Sequence, residues 1–132
     1  MPGTYLFEYA VIRIVPRVER EEFLNVGVIL YCKDLQYLQT KFTVDEERLK
    51  AFTGYLDLEE LKQHLSALKK ISEGDSSAGE IARLEPALRF RWLTAARSTI
   101  VQTSKVHPGL CTDINETLDR LYTQLVLAPV AG

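Results

Sequence analysis

The sequence predicts an α+β domain: a five-stranded, mostly antiparallel sheet packed with two to three helices. Three observations carry that prediction. Residues 4–43 alternate their side chains with the period of two that a strand requires. Residues 58–72 change to steps of three and four, the period of a helix face. Residues 113–127 open on a capping signal and keep the helical step. The element order reads βββ(α)αββα, a β-meander followed by a β-hairpin. The 132 residues, 46% hydrophobic and 26% charged, suit one domain with its own core. Within that domain, 72–80 reads as a flexible loop and 128–132 as a frayed tail.

The first strand is expected over Thr4–Val15. Tyr5, Phe7, Tyr9, Val11 and Val15 share one face; Leu6, Ala10, Ile12 and Ile14 share the other. Two apolar faces mean a central strand covered on both sides, from within the chain or partly by a second copy. Pro16 stops it. Phe23–Cys32 is the second strand, Lys33-Asp34 a tight turn, and Leu35–Thr43 the third strand. Thr43-Val44-Asp45-Glu46 has capping-box spacing, so a short helix is predicted over Val44–Phe52, ended by Gly54. Asp57 opens the next helix, in which Leu58, Leu61, Leu65, Leu68 and Ile71 form one stripe to Ser72. Ser72–Gly79 follows as surface loop. Arg89–Leu93 and Ser98–Ser104 read as strands four and five, and His107-Pro108-Gly109 as a turn. Asp113 then caps a last helix whose face is Ile114, Leu118, Leu121, Tyr122 and Leu125.

Composition excludes more than it selects. The net charge of -2 makes no global demand for nucleic acid or a membrane surface. Two cysteines, Cys32 and Cys111, sit in no CxxC pair or metal-ligand set and read as reduced thiols. Met1–Glu8 shows no signal peptide and no apolar run is long enough to span a membrane, so a cytoplasmic protein is expected. Phosphate loops, dinucleotide fingerprints and zinc-protease motifs are absent from the sequence, and no metal or cofactor is expected.

Charge is unevenly distributed. Residues 45–80 carry an acidic excess of four, residues 81–107 a basic excess of four. On a strand, Arg89 and Arg91 would share a face opposite Phe90 and Trp92. Such a basic face can bind phosphate or stack bases; the plainer reading is a solvated face over a core tryptophan. Arg97 and Ser98 fall in a turn and with His107 could frame an anion or acid-base site; the plainer role of such a histidine is packing. Arg17, Arg20, Glu21 and Glu22 form a charged connection, either a docking surface or a solvated loop with local pairs. Asn25 and Gly27 are expected on one face of an apolar strand, where a glycine marks close approach of another backbone, a ligand or a partner.

The runs Tyr9–Pro16 and Arg20–Leu30, with "EEFLNVGVIL" at their core, and the later Arg89–Ile100 followed by His107–Leu110, resemble the bacterial family of domains of unknown function numbered 3037. The resemblance covers Tyr5–Val126. Ala96 stands where the family pattern has proline. The resemblance transfers no chemistry. It implies an association, since such genes commonly adjoin one for a HipA-like kinase, and hence a non-enzymatic partner or regulator of that kinase. Two alternatives stand beside it. One is a nucleic-acid or nucleotide-binding domain using Arg89, Arg91, Arg97 and Lys105. The other is a small hydrolase or nuclease-like enzyme using Arg20, Glu21, Arg97 and His107, which must then converge on one pocket.

Overall fold

The structure, a computed structural model, describes residues 3–54, 56–97 and 99–127. They form an α+β fold with a five-stranded antiparallel sheet and four helices. The strands are β1 (Tyr5–Ile14), β2 (Leu24–Cys32), β3 (Tyr37–Phe42), β4 (Val101–Thr103) and β5 (His107–Cys111). The helices are α1 (Glu46–Phe52), α2 (Leu58–Glu73), α3 (Pro86–Leu93) and α4 (Ile114–Leu125). No helix among the described residues is long and apolar enough to cross a membrane.

β1 is the spine. One of its edges pairs with β2, which pairs with β3, as the meander predicts. Its other edge takes β5 along Tyr5–Tyr9 and β4 along Ile12–Ile14. β4 and β5 therefore lie end to end against one strand; the hairpin expected of Arg89–Leu93 with Ser98–Ser104 does not form, because its first arm is helical.

Alternation along β1 and β2 sends side chains to two cores, as their apolar faces require. On the inner face Ile12, Ile14, Ile29, Tyr31 and Leu38 pack against Leu49 of α1, the α2 stripe Leu61, Leu65, Leu68 and Ile71, and Phe90 and Leu93 of α3. On the outer face Phe7, Val28, Leu30, Cys32 and Cys111 pack against Ile114, Leu118 and Leu121 of α4. Both cysteines are free and buried.

Asp45, Asp57 and Asp113 each accept from the backbone N–H three residues on, which caps α1, α2 and α4. The cap of α1 is thus Asp45 and not Thr43. Gly74 closes α2 in the left-handed conformation, φ +74°. The helix runs through Ser72 and Glu73, so the expected loop begins later than its composition suggests. Asp75 then caps a short 3-10 turn at Ser76–Ala78. The turn after β2 spans residues 33–36, with Gln36 at φ +49°. Residues 128–132, expected as a frayed tail, lie outside the described residues.

Two segments differ from their sequence reading. Arg89–Leu93, expected as a strand, is helix α3. Pro86 occupies its first turn, where a missing N–H costs nothing, and the eight residues contain no β-branched side chain. His107-Pro108-Gly109, expected as a turn, is strand β5. Pro108 is tolerated because β5 is an edge strand. Gly109 lies opposite Phe7 in the register, and its missing Cβ leaves room for that ring.

Candidate functional site

The β1–β2 connection is built from its sequence upward. Pro16 ends the strand's hydrogen bonding. Val18–Arg20 then turn once as a 3-10 helix, closed by Glu21 N–H donating to Val18 O at 3.0 Å. Glu21 sits at φ +54°, a left-handed conformation that costs a residue with a Cβ about 1 kcal/mol. The result is a raised loop between two central strands. Val18 is 63% exposed and Phe23 45%. The Arg13 guanidinium lies over the Phe23 ring, 3.9 Å from its centroid, and burial pushes the Arg13 pKa down. A cleft of about 600 Å³ separates the loop from the end of α1, lined by Pro16, Arg17, Arg20, Glu22, Phe52 and Thr53. Arg20 pairs with Glu22, and that hydrogen bond holds the guanidinium above its ordinary range. Arg17 approaches Glu19 at 4.0 Å. Both pairs are exposed and add little to stability.

Asn25 and Gly27 do not share a face. The register passes from Ile12↔Gly27 to Arg13↔Asn25, leaving Val26 as a bulge that turns Asn25 toward α4. There Asn25 Nδ2 donates to Leu125 O at 2.9 Å, and Arg48 donates to Val126 O at 2.8 Å. The two side chains close the carbonyl end of α4. Asn25 Oδ1 and Arg13 Nε, on facing residues, are buried without a hydrogen-bond partner among the described residues. Gly27 does mark a close approach, by this chain's own β3. A Cβ there would lie 2.9 Å from Lys41 O and 2.9 Å from Phe42 Cβ.

The arginines of the basic segment divide by use. Arg89 donates to Leu84 O at 2.8 Å and Ser72 O at 3.4 Å, tying α3 to the end of α2. Arg97 folds back over Trp92, 4.5 Å from the ring centroid, and donates to Leu93 O and Ala95 O at the end of α3. Burial lowers its pKa. Both are committed to the fold. Arg91 and Lys105 have no ion pair or side-chain hydrogen bond among the described residues, so the nucleic-acid reading retains two free cations. Replacing Arg89 with Ala is expected to cost about 2 kcal/mol of stability in urea unfolding, the typical worth of hydrogen bonds from a charged group. A variant as stable as the parent would return Arg89 to the free cations.

His107 is exposed on β5 with its ring 5.3 Å from that of Tyr9, its register partner. Glu21 and Arg20 lie beyond the opposite end of β1, past Ile14. Ile14 lies five residue steps along β1 from Tyr9, about 16 Å. Among the described residues, the cleft that Arg20 lines contains none of the other three residues of the hydrolase reading. Ser98 lies outside the described residues. No group of three His, Cys, Asp or Glu able to hold a metal occurs among the described residues.

Sequence reasoning did not find a second cleft, of about 390 Å³, between α3 and the start of β1. Tyr31 and Phe90, stacked at 5.1 Å between centroids, line it with Leu6, Glu8, Arg91 and Val106. Burial, then the Glu8 charge, push the Tyr31 pKa up. The available signal was the spacing of Ala87, Phe90, Arg91 and Thr94, which share one side only if the segment is a helix, and the strand reading of 89–93 hid it.

A family model described as "Protein of unknown function (DUF3037)" matches residues 9–126. No curated protein and no solved structure matches the chain.

Proposed function

The chain belongs to the family "Protein of unknown function (DUF3037)", and from that premise and the loop geometry we propose that it is a non-catalytic docking domain. Its partner in this proposal is a HipA-like kinase, the class that the gene association of the family implies. The observation that carries the reading is the β1–β2 loop. Val18 is exposed and Phe23 half-exposed beneath Arg13, on a connection that carries the left-handed Glu21 and is ringed by Arg17, Arg20 and Glu22. Apolar anchors inside a charged rim are the composition of a protein-binding surface. The central strands hold that surface rigid, which lowers the entropy that binding costs. Arg20 and Glu21 belong to this rim.

Size-exclusion chromatography with light scattering tests it, on the chain mixed with the HipA-like kinase from the same genome. A mixed peak is expected. Val18→Asp and Phe23→Ala should each weaken it about tenfold or more, the effect of losing an interface anchor. Val18→Asp should leave the stability of the free chain within about 0.5 kcal/mol of the parent, since Val18 is mostly solvated, and Phe23→Ala should cost it about 1 kcal/mol, since that ring is half-covered and lies under Arg13. Two separate peaks with the parent chain would reject the kinase as partner.

A further inference from the structure

The helices leave part of the inner face of the sheet bare. Leu6 and Leu110 are register partners on β1 and β5, on the same side as Ile12 and Ile14, yet they are 58% and 68% exposed. Val106, between β4 and β5, is 38% exposed. The bare area is two strands wide, about 10 Å, and about 15 Å long. α3 stands beside it as a wall. Phe90 and Leu93 point into the core, while Leu88 (47% exposed) and Trp92 (37%) point out. α3 therefore has two apolar sides, and the outer one meets only the Arg97 guanidinium over Trp92 among the described contacts, leaving Leu88 and the rest of the Trp92 ring open.

Wall and floor match each other. An eight-residue helix is about 12 Å long and about 10 Å across, the dimensions of the bare floor. The charges match as well. Glu8 stands on the floor and Arg91 on the wall. Neither forms an ion pair among the described residues, although both line one cleft. The side of α3 that borders the cleft carries Ala87, Arg91 and Thr94, and Leu88 and Trp92 form its outer side; an apolar outer side flanked by a cation and an apolar floor bearing an anion are complementary between two copies.

We propose that this floor and wall are the seat of a second copy of the chain. A two-fold axis sets α3 of each protomer on the bare floor of the other, so that Leu88 and Trp92 meet Leu6, Val106 and Leu110, and Arg91 of each copy meets Glu8 of its mate. Pro108 withholds an N–H from the β5 edge, which disfavours strand-to-strand joining there and leaves the face as the contact. The docking loop lies beyond the other end of β1, so the dimer and the kinase contact are separate surfaces.

Sedimentation velocity across a concentration series tests the dimer with the chain alone. A species of twice the monomer mass is expected. Leu110→Asp should reduce it to monomer without altering the far-ultraviolet circular dichroism, because Leu110 is mostly solvated. Glu8→Arg and Arg91→Glu should each weaken association about tenfold or more, and the double exchange should restore it. Val18→Asp, on the other surface, should leave the dimer intact. A monomer at every concentration overturns the proposal. So does a dimer indifferent to Leu110→Asp, or one that the double exchange fails to restore.

Discussion

Phe90→Ala is expected to remove about 4 kcal/mol of stability, the usual cost of deleting a buried phenylalanine. Phe90 is 4% exposed and stacks on Tyr31 at 5.1 Å, with the ring planes 25° apart. It is the main anchor of α3 on the inner face. α3 is short, at eight residues, and a helix of that length does not hold itself together in water. Its order depends on Phe90, Leu93 and the two arginine ties. Removing the ring therefore leaves a cavity against Tyr31 and loosens the helix that borders the second cleft. Against a total of about 5–15 kcal/mol for a domain, the loss is a large fraction. Urea unfolding followed by circular dichroism measures it, with a companion fall in midpoint temperature of about 10–15 °C. A loss under about 1.5 kcal/mol would mean that α3 is held mainly by its arginines.

Gly27→Val is expected to cost about 3 kcal/mol or more, or to prevent soluble expression. The overlap is with a backbone carbonyl and a Cβ of β3, both 2.9 Å from the added carbon, and with Ile12 Cδ1 at 3.1 Å. A side-chain tip can swing aside. A hydrogen-bonded strand cannot, so β2 and β3 must part or the bulge at Val26 must shift. Moving the bulge by one residue would reverse the faces of Asn25 and Val26 and release the carbonyl of Leu125. Gly54→Ala is the control: nothing lies within 4 Å of its would-be Cβ, and its stability should match the parent. Equal stability of the Gly27 and Gly54 variants would show that the register can relax at no cost.

Both substitutions probe places where sequence reasoning reached its limit. The meander, α2 and α4 were legible because each carries a long, regular apolar period that one packing satisfies. α3 was not, since Arg-Phe-Arg-Trp alternates over too short a span to distinguish a period of two from one of 3.6. Pro86 was the better guide, and it lies outside that run. β5 was hidden for a different reason. His-Pro-Gly is turn chemistry in isolation, and only the edge position and the Phe7 ring across the ladder make it a strand. The site residues divide in the same way. Gly27 was legible as a close approach because a glycine in an apolar strand has few other reasons. The duties of Arg89 and Asn25 were not legible, because their acceptors are backbone carbonyls, 5 and 17 residues away for Arg89 and 100 for Asn25. Backbone acceptors carry no residue identity, and a sequence gives no sign of them.

The end-to-end placement of β4 and β5 on β1 bears on how the chain is made. β1 leaves the ribosome before β2 and β3, which can pair with it early. Its other edge has no occupant until residues 101–111 have been synthesised, and the outer core waits for α4. Throughout that interval the nascent protein presents an open strand edge and the apolar row Phe7, Val28 and Leu30. Slow translation beyond α2 would lengthen the exposure, whereas rapid synthesis of β4, β5 and α4 would shorten it. Yield in the cell should therefore respond to codon choice after residue 73 and to trigger-factor-type chaperones more than the stability of the finished fold would suggest.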